Sequence, residues 1–163
     1  MKILLFMMCS FFLITSSQGQ VRKPTDASKE FDRSIFGMGL SAGVASGFGL
    51  SFRQHLPGEV SYQIVGGIIK ADRKLYYNFG TELQYDLARG ESTRFFAAGA
   101  LGYFYSGENG SNDLSGPARL GAGIGIESAG MQSLSLSLEL LFTYFSDGSV
   151  LPLPQLAAHY YFF

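Results

Sequence analysis

The sequence predicts an all-β chain: an eight-stranded antiparallel up-and-down transmembrane β-barrel. Three observations predict it. Apolar and polar residues alternate with a period of two through most of the chain after Ser34, as in strands with one apolar and one polar face. The alternating runs are about 9–13 residues long, beyond the 5–6 of globular strands and close to the 9–11 that cross a bilayer. The tyrosines and phenylalanines on the apolar faces gather near the ends of these runs.

Composition narrows the alternatives. The chain has 163 residues, of which 47% are hydrophobic and only 15% charged, below the roughly 25% usual for soluble domains. After the N-terminus no stretch approaches the about 20 continuous apolar residues of a helical span. A formal net charge of -1 gives no basis for nucleic-acid binding, which needs a clustered basic face.

The N-terminal residues read as an address. Lys2 precedes the apolar run Ile3 to Met8 and Phe11 to Ile14, and Ser17-Gln18-Gly19 places small residues before a cut at Gln20. Residues 1–19 are therefore expected to be a cleaved signal peptide. Cys9 lies inside the apolar run, so the mature chain is expected to lack cysteine and disulfides. Residues 20–33 form a polar lead-in of mixed charge, and residues 34–163 the barrel.

The strands follow in order. FGMGLSAGV sets Phe36, Met38, Leu40, Ala42 and Val44 against Gly37, Gly39, Ser41 and Gly43. GFGLSFR sets Phe48, Leu50 and Phe52 against Gly47, Gly49, Ser51 and Arg53. SYQIVGGIIK is apolar on both faces in its middle. LYYNFGTELQYDL sets Leu75, Tyr77, Phe79, Thr81, Leu83, Tyr85 and Leu87 against Asn78, Gly80, Glu82, Gln84 and Asp86. TRFFAAGALGYFY carries Phe95, Leu101, Tyr103 and Tyr105 on one face and Phe96, Ala98, Ala100 and Phe104 on the other. ARLGAGIGIE sets Leu120, Ala122, Ile124 and Ile126 against Arg119, Gly121, Gly123, Gly125 and Glu127. Its glycines follow the strand period and no helix follows them, so they are luminal rather than a phosphate loop. SLSLSLELLFTYF is the cleanest, with Leu134 to Leu140, Phe142 and Tyr144 against Ser133, Ser135, Ser137, Glu139 and Thr143. QLAAHYYFF ends the chain in one of two phases: Tyr161, His159 and Ala157 outward with Phe163, or Tyr160, Ala158 and Leu156 outward with Phe162.

Turn-forming residues separate these runs. Short turns are expected at His55 to Gly58, Ala88 to Glu91 and Ser128 to Gly130. The opposite loops are Ala45-Ser46, Ala71 to Arg73, Ser106 to Pro117 and Ser146 to Pro154. The polar faces are mostly Gly and Ser. Facing bulk water they would carry more Lys and Glu; facing a cramped lumen, small residues fit. The apolar faces then meet lipid, which inverts a lipocalin-like barrel. Two aromatic girdles follow: Phe36, Phe52, Tyr62, Tyr85 and Phe95 at the periplasmic ends, and Tyr77, Tyr103, Tyr105, Phe142 and Tyr144 at the outer ends.

With its signal peptide, eight alternating strands, two girdles and terminal Tyr160-Tyr161-Phe162-Phe163, the chain resembles the small OmpA/OmpX-type outer-membrane β-barrels over roughly Ser34 to Phe163. That resemblance implies a Gram-negative-type outer membrane, contact with its lipid and lipopolysaccharide, and a monomer. It also implies that the barrel-assembly machinery reads the C-terminal aromatics, Tyr161 and Phe163.

The expected lumen holds Arg53, Glu82, Gln84, Asp86, Arg94, Arg119, Glu127 and Glu139. Buried charges are costly unless paired, so the arginines are expected to pair the carboxylates and close the lumen; a proton or ion path along the carboxylates is the sharper alternative. The expected function is a structural or surface-interaction barrel without catalysis, metal or cofactor. A barrel that binds or passes a small hydrophobic molecule would use the inner faces of Ile64 to Ile69 and Phe96 to Phe104. A lipid-modifying enzyme would need Ser, His and an acid together at one rim, with only His55 and His159 to draw on. Glu108 and Asp113 read as part of a solvated loop.

Overall fold

A computed structural model describes residues 34–90, 92–108, 111–131 and 133–162. The signal peptide with Cys9, the 20–33 lead-in, Glu91 and Phe163 lie outside the described residues. Eight strands follow one another: β1 (Ile35–Gly43), β2 (Gly47–His55), β3 (Val60–Ala71), β4 (Lys74–Arg89), β5 (Thr93–Gly107), β6 (Ala118–Met131), β7 (Leu134–Phe145) and β8 (Val150–Phe162). Each pairs antiparallel with the next, and β8 pairs with β1 to close the barrel. Closure gives main-chain polar groups partners around the wall, which a sheet in hydrocarbon requires.

Alternation fixes which face each residue takes. In β7 Leu134, Leu136, Leu138, Leu140, Phe142 and Tyr144 point outward and are 41–60% exposed, while Ser135, Ser137, Glu139, Leu141 and Thr143 are buried. β4 repeats the pattern, with Phe79, Leu83, Tyr85 and Leu87 outward and Asn78, Glu82, Gln84 and Asp86 inward. In water the outward set would be a continuous apolar surface far beyond that of a soluble monomer.

The last strand settles into one phase. Leu156, Tyr160 and Phe162 face outward, and Gln155, Ala157, His159 and Tyr161 face inward. Phe162 stacks on Phe36 (centroids 5.5 Å apart), while the Tyr161 hydroxyl finds luminal partners. Tyr161 thus lies on the inner face rather than on the outward face expected of an assembly signal.

β8 also starts five residues earlier than the proline-rich sequence suggests. Val150 to Pro154 pair with β7, so the loop shrinks to 146–149. β1 accompanies β8 only as far as Ala42↔Leu156. Pro152 and Pro154 therefore stand where β8 has β7 alone as a neighbour, the edge position at which a missing N–H is tolerated.

The turn between β1 and β2 was expected as an outer loop and instead folds into the lumen. Ala45 and Ser46 are 0% and 1% exposed. Three glycines on the far wall leave them room. A Cβ at Gly80 would stand 2.1 Å from Ser46 O, at Gly102 2.3 Å from Ala45 O, and at Gly121 2.7 Å from Ala45 Cβ. Gly47 and Gly49 have φ of 111° and 123°, values side-chain-bearing residues rarely adopt. They turn Phe48 beside the buried Phe104 (centroids 6.3 Å) rather than out with Leu50. Ala45 completes a small core with Phe96, Ala98, Ala100 and Leu141.

Candidate functional site

The lumen gathers the charged side chains, and Glu127 on β6 is their hub. Its Oε2 accepts from Arg53 Nη1 on β2 (2.9 Å) and from Arg94 Nε on β5 (2.7 Å). Its Oε1 accepts from Tyr161 Oη (2.7 Å) and from Ser135 Oγ. Arg94 also donates to Asp86 Oδ1 (2.7 Å) and Gln84 Oε1 (2.5 Å), and Asp86 holds Arg89 as well. Arg53 donates through Nε to Gln63 Oε1 (2.7 Å) and lies 3.5 Å from Glu139 Oε1. Arg53, Glu82, Asp86, Arg94, Glu127 and Glu139 are each at most 5% exposed. Charges so buried persist when each finds a countercharge or hydrogen bonds.

Glu82 and Glu139 are joined by amides. Gln155 Nε2 donates to Glu82 Oε2 (3.2 Å) and Glu139 Oε2 (3.0 Å), and Gln84 Nε2 to Glu82 Oε1 (2.6 Å). The other end of Gln155 holds the inward turn: its Oε1 accepts from Ala45 N (3.0 Å), Ser46 N (3.1 Å) and Ser46 Oγ (3.2 Å).

Arg119 does not join the carboxylates. It enters β6 eight residues before Glu127 and pairs in register with Gly102 and Phe145 at the loop end. Its guanidinium lies 3.8 Å from the Phe104 ring centre and 5.0 Å from that of Phe145, and it donates to Val44 O (3.0 Å). Distance along the barrel separates it from the ion network, and ring faces and a turn carbonyl take the place of a carboxylate.

Both histidines are luminal. Tyr161 has one hydroxyl hydrogen and gives it to Glu127, so His55 Nε2 donates to Tyr161 Oη (2.8 Å). His55 Nδ1 then accepts from Ser61 Oγ (2.7 Å). His159 Nε2 is hydrogen-bonded to Ser51 Oγ at 2.8 Å, across Gly39, which pairs with both residues. A side chain at Gly39 would meet Ala158 O. A serine nucleophile needs a histidine oriented by a third group and access for substrate. His159 Nδ1 has no hydrogen-bond partner among the described residues, and Ser51 and His159 are 3% and 1% exposed.

The apolar inner faces expected to hold a ligand are differently disposed. Ile64, Ile68 and Ile69 are 39–72% exposed, and Val65 is the buried member of that stretch. Phe96, Ala98 and Ala100 pack against Leu141 and Ala45. A depression of about 220 Å³ lies beside Gly99, Leu101 and Leu120, which do not face the lumen.

The ten girdle residues occupy the two ends of the wall. Phe36 stacks between Phe52 and Phe162 at one end, where Tyr62, Tyr85 and Phe95 also lie by register. Tyr77 and Tyr105 stack at 4.7 Å at the other, with Tyr103 also on β5 and Phe142 and Tyr144 on β7. Sequence reasoning missed Gln63, Gln155 and Tyr161 as network members. The glycines Gly80, Gly102 and Gly121 were the available signal that something fills the loop end.

The fold is a closed eight-stranded antiparallel barrel. Two solved structures are similar to it. The Yersinia pestis outer membrane protein Ail in a phospholipid bilayer nanodisc has 13% identity and a TM-score of 0.44, over 79% of this chain and 98% of that one. Neisserial surface protein A has 13% identity and a TM-score of 0.39, over 78% of this chain and 91% of that one. No family model and no curated protein matches the sequence.

Proposed function

We propose that the chain is an outer-membrane β-barrel with a structural or surface-interaction role, its lumen closed by side chains and without catalysis. The observation that carries the reading is the inversion of faces. Along the strands the exposed residues are Leu, Ile, Phe, Met and Tyr, while Arg53, Arg94, Asp86, Glu82, Glu127 and Glu139 are buried. A soluble barrel has the opposite arrangement. The girdle residues then meet the two interfaces, and lipid with lipopolysaccharide surrounds a monomer. Residues 1–19 direct export across the inner membrane and are cleaved in that step, and insertion uses the barrel-assembly machinery.

Closure of the lumen argues against a diffusion pore. A proton path is disfavoured as well, because the chain of hydrogen bonds runs through Arg53, and a guanidinium does not release its proton. Among the described residues nothing orients His159 through Nδ1, which speaks against acyl transfer. Fractionation combined with heat-modifiable gel mobility tests the location, and conductance in planar bilayers tests the closure. Recovery as a soluble periplasmic monomer would overturn the first; steady conductance of the wild-type chain would overturn the second.

A further inference from the structure

The tip of the β1–β2 hairpin, Gly43 to Gly49, leaves the strand ladder of the wall and packs across its inner side. β2 pairs with β3 only as far as Leu50↔Gly66, and β1 with β8 only as far as Ala42↔Leu156. Beyond those points the tip is held by single side chains. Gln155 takes three donors from Ala45 and Ser46. Asn78 bonds both main-chain groups of Phe48, Oδ1 accepting from its N and Nδ2 donating to its O, each at 2.9 Å. Arg119 donates to Val44 O. Gly47 and Gly49, with positive φ, sit at the bend.

The wall meanwhile has an unfilled place for the same segment. Phe48 and Gly49 lie close over Gly67, while Ile68 to Ala71 of β3 pair with β4 and have no ladder partner on the β2 side among the described residues. Continuing the β2–β3 register would set Gly49 against Gly67, Phe48 against Ile68 and Ser46 against Lys70. Phe48 would then face outward beside the exposed Ile68, as the strict alternation of Phe48, Leu50 and Phe52 dictates.

We propose that this hairpin tip is a hinged plug with two seats. In the closed seat it fills the loop end of the lumen and is latched by Gln155, Asn78 and Arg119. In the open seat it zips onto the free edge of β3. Opening exposes an outward-facing vestibule walled by Gly80, Gly102 and Gly121, with Gln155, Glu82 and Glu139 at its floor. It ends at the Arg53–Glu127–Arg94 network, so it is a cup and not a channel. Both seats are local packings separated by a few hydrogen bonds, the kind of bistable element that ligands bias.

The test uses cysteine chemistry on the full chain carrying Cys9→Ser, since Cys9 is its one natural cysteine. Ser46→Cys is reacted with a membrane-impermeant maleimide in folded, reconstituted barrel. It is expected to label at least tenfold more slowly than Ser111→Cys in an exposed loop. Adding Gln155→Leu is expected to accelerate Ser46→Cys labelling at least tenfold while the heat-modifiable band persists. Independently, the pair Ser46→Cys with Lys70→Cys is expected to form a disulfide under mild oxidant with Gln155 intact, since only the open seat brings these positions together. Labelling of Ser46→Cys as fast as Ser111→Cys, an unchanged rate in a folded Gln155→Leu barrel, or no disulfide after hours of oxidation would each overturn the proposal. All readouts work in detergent micelles, so they stand or fall apart from the membrane assignment.

Discussion

Glu127→Gln is the sharpest probe of the lumen. The substitution keeps shape and one acceptor oxygen but removes the charge shared by Arg53 and Arg94. If the new amide nitrogen takes the Oε2 place it meets Arg53 Nη1 and Arg94 Nε, donors 2.9 and 2.7 Å away. If it takes the Oε1 place it meets the hydroxyls of Tyr161 and Ser135. The first orientation sets donor against donor; the second is satisfied only if both hydroxyls turn to accept and the Tyr161 hydrogen passes to His55 Nε2, and in either case the charge between the two arginines is gone. Arg53 is then left with Gln63 and a Glu139 oxygen 3.5 Å away, while Arg94 keeps Asp86. Removing one partner of a buried ion pair costs about 3–5 kcal/mol, and the remaining contacts of both arginines place this variant toward the lower end. A double variant, Glu127→Leu with Arg94→Met, removes both signs at once and leaves Asp86 to Arg89. It should lose less than the two single variants together, with a coupling of about 1–3 kcal/mol. The chain has no tryptophan, so unfolding in urea is followed by circular dichroism and gel mobility of barrel refolded into vesicles. A Glu127→Gln barrel within about 1 kcal/mol of wild type, or strictly additive variants, would refute a load shared through Glu127.

Three further outcomes follow from the geometry. Gly39→Ala should prevent the compact folded band, because its Cβ would lie 1.8 Å from the main-chain Ala158 O, whereas Gly99→Ala, with nothing within 4 Å, should fold like wild type; equal refolding yields would show that the tight β1–β8 approach is wrong. Leu138→Arg, outward in mid-β7 and 51% exposed, should cost about 2–4 kcal/mol in a bilayer, and a neutral effect in vesicles would count against lipid at that face. In the 146–149 turn, hydrogen bonds from Ser149 N (3.0 Å), Ser149 Oγ (2.7 Å) and Ser115 Oγ (3.2 Å) hold the Asp147 carboxyl below its ordinary value of 3.8. Its contribution to turn order is therefore present above the ordinary carboxylate range and lost as pH falls through the lowered value. Asp147→Asn should loosen the Ser149 amide at neutral pH, and an Asp147 titration midpoint by NMR at or above 3.8 would contradict these contacts.

Alternation made most of the wall legible. Leu134 to Tyr144 and Leu75 to Leu87 assign a face to every residue, because a one-residue slip would reverse all of them. Two local features escaped. Pro152 and Pro154 read as breakers, yet they cost little on a strand with one neighbour, and the neighbour count depends on where β1 ends. Ala45-Ser46 reads as a solvent turn, because small residues carry no sign of direction. The phase of β8 was also undetermined from sequence, since both faces of Gln155 to Phe162 hold aromatics; the stacking of Phe162 on Phe36 and the reach of Tyr161 to Glu127 decide it. The luminal charges were legible as a set, but not their partners: Arg119 looks like Arg94 in sequence and differs only in its height along the barrel.

That difference in height separates two closures of one lumen. Around Glu127 the interior is filled by charges, each satisfied by another. Toward the loops Gly80, Gly102, Gly121, Ala98 and Ala100 leave a space that Asn78, Phe104 and Leu141 do not close. A void at that level would forfeit dispersion contacts around its whole lining. A turn of main chain fills it, but a turn brings its own amides and carbonyls, and buried ones must be paired. Gln155, Asn78 and Arg119 supply those partners from three different strands, and Gln155 also touches Glu82 and Glu139. The two closures therefore meet at two side chains, Gln155 and Phe96, the latter packed with Ala45 and 4.5 Å under the Arg94 guanidinium. Loosening the ion network should weaken the barrel without unplugging its loop end, and loosening the plug should leave the ion network shut.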